Sequence, residues 1–126
     1  MRCNFIFYVR DQQASSAFYR KLLGQEPILD VPGMTEFQIS AESVLGLMPE
    51  RGIKRVLGNT ITDPETTNGI ARAEIYLTVS SPEEYISRAI NAGGKLLSEV
   101  SVRNWGDRAG YIADLDGHVV AFAIKN

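Results

Sequence analysis

The chain has one cysteine and one histidine. Cys3 alone cannot form an intramolecular disulfide or a cysteine-built zinc cluster. His118 alone cannot supply an imidazole cluster, and its place in a turn favours a solvated ring. No apolar run approaches the ~20 residues that span a bilayer. The N-terminus is not a basic segment followed by a long apolar one, so no secretory signal peptide and no membrane partner are expected. The net charge of −2 offers no basic footprint for nucleic acid. A reducing cytoplasm is the default location. What remains is ordinary for a globular chain: 44% hydrophobic and 22% charged residues. A single domain of 126 residues buries roughly two-thirds of the surface that its unfolded chain exposes.

The feature that organises the sequence is a repeat. Asn4 to Asp11 alternates as a strand and runs into a helical stretch from Gln12 to Leu23, which Gly24 stops. Ala73 to Val79 alternates likewise and runs into Ser81-Pro82-Glu83-Glu84, a capping box with proline at the first helical position. The two align without a gap: Asn4 over Glu74, Val9 over Val79, Asp11 over Ser81, Gly24 over Gly94.

After the first helix, strands are expected at Glu26–Asp30, Met34–Ile39 and Ser43–Met48. On that helix, Ala14, Phe18 and Leu22 form one stripe, with Tyr19 and Leu23 beside it. In the first strand Phe5, Phe7 and Val9 share one face and Asn4, Ile6 and Tyr8 the other, both expected to be covered. Residues 49–69 show no clear period and read as a linker between modules or a lid. The second helix is expected to bury Ile86, Ala89 and Ile90. Strands follow at Lys95–Val100, Arg108–Asp114 and Val119–Ile124, the last two joined through Asp116-Gly117, a hairpin signal. The order is βαβββ (1–48), linker (49–69), βαβββ (70–126), an α+β class.

Four stretches carry a resemblance. They are Tyr8-Val9-Arg10-Asp11 with Ser16 to Gly24, Tyr85 to Gly94, Trp105-Gly106-Asp107-Arg108-Ala109-Gly110-Tyr111, and Ala113-Asp114-Leu115-Asp116-Gly117-His118-Val119-Val120. Together they resemble the vicinal oxygen chelate superfamily, which includes glyoxalase I, extradiol dioxygenases, fosfomycin-resistance enzymes and bleomycin-resistance proteins. Leu115 stands where that family's closing hairpin carries proline. The resemblance implies two βαβββ modules curled into half-barrels around a cavity, and a homodimer.

The resemblance also implies where a metal would be held in the metal-dependent members: by one residue from each module's first strand and one from each module's last strand. Those positions fall on Asn4, Glu74, Gly46 and Ala121. Only Glu74 is a competent ligand, whereas such a site needs roughly three protein ligands, so neither a metal nor another cofactor is expected. The same alternation lines the cavity with Asn4, Ile6, Tyr8, Met48, Glu74, Tyr76 and Ala121, and Trp105 and Arg108 stand as further ligand-binding candidates. Apolar walls with a few polar groups and aromatic rings suit a small, aromatic or cationic organic ligand. Glu74 has two readings: a desolvated carboxylate, its pKa raised by burial, acting as a general base or binding a cation, or a carboxylate paired with Arg72 or reaching solvent. The expected function is binding of a small molecule without the metal. The alternative is a glyoxalase-like lyase, isomerase or dioxygenase with an atypical metal site, or a metal-free enzyme using Glu74.

Overall fold

The computed structural model describes residues 1–126. The chain divides into two compact units, residues 1–20 with 24–68 and residues 21–23 with 69–126. Each is built on a four-stranded mixed sheet, and no helix is long and apolar enough to cross a membrane.

In the first unit the strands are β1 (Cys3–Val9), β2 (Leu29–Val31), β3 (Met34–Ser40) and β4 (Ser43–Pro49), ordered β1-β4-β3-β2. β1 runs parallel to β4, and the other pairs are antiparallel. Helix α1 (Gln12–Leu23) connects β1 to β2. Asp11 caps it by accepting the Ala14 N–H at 2.9 Å. Gly24 ends it at φ 66°, a left-handed position that favours glycine, and donates to the Arg20 carbonyl. Tyr19 fixes the helix to one face of the sheet: its ring lies 6.5 Å from Phe7 and 6.4 Å from Phe37 between centroids. Phe18, Tyr19 and Leu22 are buried as the periodicity predicts, but Ala14 is exposed. Phe5 is 51% exposed as well, because it lies on the edge strand.

The stretch 49–69 is not the irregular linker that its sequence suggests. Glu50–Leu57 forms helix α2, which packs on β1 and β4. The aperiodicity has a physical reason: α2 anchors through one apolar residue, buried Ile53, and through charge. Glu50 is also buried and pairs with Arg10 at 3.5 Å. Arg10 further donates to the Glu65 carbonyl at 2.9 Å, and Arg51 pairs with the Glu65 carboxylate at 2.9 Å.

The second unit repeats the topology. Its strands are β5 (Glu74–Thr78), β6 (Lys95–Val102), β7 (Asp107–Ala113) and β8 (Val119–Lys125), ordered β5-β8-β7-β6 with β5 parallel to β8. Helix α3 (Pro82–Asn91) starts at the expected cap, where Ser81 Oγ accepts from the Glu84 N–H. Ile86 and Ala89 are buried, but Ile90 is 44% exposed, at the margin of the helix's sheet-facing side. Ile86 lands on Gly110 of β7, where an added Cβ would stand 2.3 Å from Ile86 Cδ1. The β7–β8 turn is tied by Asp114, whose buried carboxylate accepts from the Asp116 and His118 amides at 2.9 Å and faces His118 Nδ1 at 2.9 Å. His118 is therefore a partner of this carboxylate, not the solvated ring expected.

Candidate functional site

The helices cover one face of each sheet. On the opposite face of the second sheet, register places Glu74, Tyr76 and Thr78 beside Val119, Ala121 and Ala123 of β8. Tyr111 and Ala109 of β7 lie beyond them, opposite Ala121 and Ala123. The strand next to β5 thus carries small side chains on this face, and Tyr76 can reach over it to β7. Its hydroxyl donates to Asp107 Oδ2 at 2.9 Å and accepts from Trp105 Nε1 at 2.9 Å. The three side chains form one hydrogen-bonded chain, although two of the rings are substantially open: Tyr76 is 37% and Trp105 54% exposed. The Tyr76 phenol is held above its ordinary value near 10. Partial burial of the phenol is the main cause and the Asp107 carboxylate adds to it, while the Trp105 N–H pulls the other way.

Arg103 completes this face from the β6–β7 loop. Its guanidinium lies 5.2 Å from the Tyr111 ring centroid and donates to the Ala109 and Glu99 carbonyls and to Ser98 Oγ, each at 2.9 Å. Those bonds fix the loop that presents Trp105. The open face therefore offers aromatic planes at Tyr76, Trp105 and Tyr111, a carboxylate at Asp107, and a floor of alanines.

Sequence reasoning anticipated Tyr76, Trp105 and Ala121 here. Ala121 is fully buried and shapes the floor without exposed surface of its own. Asp107, Tyr111 and Arg103 were missed. The signal for the first two was alternation in β7, which begins at Asp107: Asp107, Ala109 and Tyr111 share one face and Arg108, Gly110 and Ile112 the other. Arg108 accordingly falls on the helix side, where it pairs with Glu83, and is not part of this face. Glu74 is exposed and has no hydrogen-bond or ion-pair partner, so neither the desolvated carboxylate nor the Arg72 pair is present.

The open face of the first sheet carries Asn4, Ile6 and Tyr8 beside Val44, Gly46 and Met48, as alternation predicts. Asn4 Nδ2 donates to Glu36 Oε2 on β3 at 2.9 Å, passing over β4 near Gly46. Ile6 and Tyr8 are 42% and 38% exposed. A Cβ at Gly46 would stand 3.2 Å from both Ile6 Cγ1 and Met34 Sδ, so that position is already crowded by apolar groups.

Three comparisons with known proteins bear on this arrangement. The family model described as the Glyoxalase/Bleomycin resistance protein/Dioxygenase superfamily matches residues 4–122. An uncharacterized protein of Mycobacterium bovis is 28% identical over 113 residues, 87% of this chain and 74% of that one. An uncharacterized Mycobacterium tuberculosis protein matches equally, and there the aligned residues span 66% of its length. Among solved structures, a glyoxalase-related enzyme from Fulvimarina pelagi superposes with a TM-score of 0.83 at 23% identity, covering 99% of this chain and 88% of that one. A glyoxalase/bleomycin resistance protein/dioxygenase family enzyme from Burkholderia phytofirmans gives a TM-score of 0.82 at 16% identity, covering 98% of this chain and 97% of the other. At these identities the structures speak to the fold.

Proposed function

The chain belongs to the Glyoxalase/Bleomycin resistance protein/Dioxygenase superfamily, and we propose that within it this protein binds a small planar organic molecule on the open face of the second sheet, without the family's metal. The observation that carries the reading is the chain from Trp105 through Tyr76 to Asp107 above an alanine floor. It presents two partly exposed rings held in fixed orientation, which offer stacking area at little ordering cost. Asp107 adds a carboxylate that suits a basic or hydrogen-bond-donating substituent on the ligand.

The donor set argues against the metal. Of the four family positions, Gly46 and Ala121 supply no side-chain donor, Asn4 is engaged with Glu36, and only Glu74 supplies a carboxylate. One carboxylate and one weak amide donor fall short of a site that needs roughly three. An exposed Glu74 gives no support to the metal-free enzyme alternative. The apolar edge strand β1, with Phe5 51% and Ile6 42% exposed, supports a homodimer.

Trp105 is the sole tryptophan, so its fluorescence reports directly on this face. A screen of planar amines, planar antibiotics and small carbonyl compounds is expected to yield ligands that quench it and raise Tm, with both effects lost in Trp105→Phe. The reading is overturned if no compound moves either signal, or if purified protein holds stoichiometric nickel, zinc or iron that Glu74→Gln releases.

A further inference from the structure

On the opposite side of the first sheet, a cavity of about 370 Å³ opens between α1 and the β2–β3 turn. One wall is a stripe of α1 formed by Gln12, Gln13, Ser16 and Arg20; Asp30, Val31 and Pro32 form the other. All of these residues belong to the first unit. They share nothing with the face that carries Tyr76 and Trp105, and they lie on the helix side of their own sheet, away from Asn4, Ile6 and Tyr8. We propose that this cavity is a second binding site, for an uncharged molecule of monosaccharide size that presents a hydroxyl or carboxamide to Ser16.

The key observation is the Ser16 hydroxyl. Ser16 is 3% exposed, and its Oγ has no hydrogen-bond partner. A helical serine can satisfy itself on the carbonyl four residues back; Ser16 does not. A buried hydroxyl in a native fold is nearly always bonded, and the space that it borders is the cavity. A group that enters the cavity, in place of solvent, can bond it.

The walls are already built. Gln12 spends its amide on the β2–β3 turn: Nε2 donates to the Val31 carbonyl at 2.8 Å and to Thr35 Oγ1 at 2.9 Å, and Oε1 accepts from the Gly33 N–H at 2.9 Å. Thr35 Oγ1 in turn donates to Asp30 Oδ1 at 3.1 Å. The turn is thus pinned to the helix, and the cavity does not depend on a ligand to form. Its volume falls within the range of small-molecule sites.

Charge decides the ligand class. Arg20 is the only cation lining the cavity; Asp30 bonds its Nη2 at 3.0 Å, and Glu26, outside the cavity lining, stands 2.9 Å from Nε, whose buried N–H makes no hydrogen bond. An anion entering here meets the Asp30 carboxylate, and a cation meets the guanidinium. Beside Ser16, the carboxamide of Gln13 has no partner and offers both a donor and an acceptor. An uncharged group with donor and acceptor character satisfies both without disturbing the ion pairs.

The test is a titration of the intact chain followed by amide NMR. Glucose and nicotinamide serve as the hydroxyl and carboxamide probes, with acetate and ammonium as charged controls. Saturable shifts are expected at Gln13, Ser16 and Arg20 with glucose or with nicotinamide, and none at the Trp105 indole N–H, so failure here is distinguishable from failure of the site on the second sheet. Ser16→Ala is expected to weaken binding about tenfold while leaving the Tm of the free protein unchanged, because the hydroxyl that it removes bonds nothing within the fold. The proposal is overturned if no probe shifts these residues, if acetate or ammonium shifts them equally, or if the shifts survive Ser16→Ala. A drop of several degrees in the free protein's Tm in that variant also overturns it.

Discussion

The Tyr76 hydroxyl donates to the Asp107 carboxylate at 2.9 Å from two strands away, reaching over β8 where Ala121 and Ala123 leave room. The first unit contains the corresponding relationship: Asn4 on its first strand donates to Glu36 on its third, with Gly46 on the strand between. Beneath the Tyr76 crossing the β8 residues are alanines, whereas Asn4 stands beside Val44.

Removing the Tyr76 hydroxyl tests that bridge. In Tyr76→Phe the ring remains, but the Trp105 indole loses its acceptor and Asp107 its donor. Trp105 emission is expected to shift, and affinity for any ligand of this face to fall about five- to tenfold, as read by fluorescence titration. Unchanged emission would show that the chain of bonds does not hold Trp105.

The same bridge sets a pH dependence. Tyr76 titrates above the ordinary phenol value, chiefly through partial burial, with Asp107 contributing. A phenol whose folded pKa exceeds its unfolded one contributes stability that is complete below about pH 10 and is lost as pH rises through the folded value. Tyr76 is expected to ionise later than a free phenol in an ultraviolet titration. Asp107→Asn should bring it earlier.

Glu83 gives the opposite sign. Its carboxyl is held below the usual carboxylate value, first by a hydrogen bond from its own backbone N–H at the start of α3 and then by Arg108. Its contribution is present above the ordinary value near 4.5 and is lost as pH falls through the lower folded value. Glu83→Gln is expected to lower Tm by about 1–2 °C at neutral pH, the small effect of a pair in contact with solvent. The difference from wild type should vanish in acid.

Gly110→Ala tests the seat of α3. Its Cβ would meet Ile86 Cδ1 at 2.3 Å and Val100 Cγ2 at 2.9 Å. Overpacking of this kind costs about 1–3 kcal/mol, measurable by denaturant unfolding. Ile86→Val, which removes the nearest methyl group, should recover part of the loss.

Asp114→Ala tests the β7–β8 turn. The Asp114 side chain is 1% exposed and serves two backbone amides as well as His118. Leaving those donors unmatched is expected to cost about 2–4 kcal/mol. His118→Ala should cost less, since both amides keep their acceptor.

The sequence by itself determined the repeat, the caps at Asp11 and Ser81, the stop at Gly24 and the faces of the first strand of each unit. Each depends on neighbours a few residues apart, so local pattern suffices. α2 was not legible, because one buried isoleucine and the pairing of buried Glu50 with the exposed Arg10 anchor it, and Arg10 lies forty residues away in sequence. Only the tertiary structure decided which residues form the candidate sites. Strand register put Asp107 on the open face and Arg108 on the other, a one-residue matter that alternation near a loop does not resolve. Helix-to-turn packing left Ser16 buried without a partner. Both depend on contacts between segments far apart in the chain.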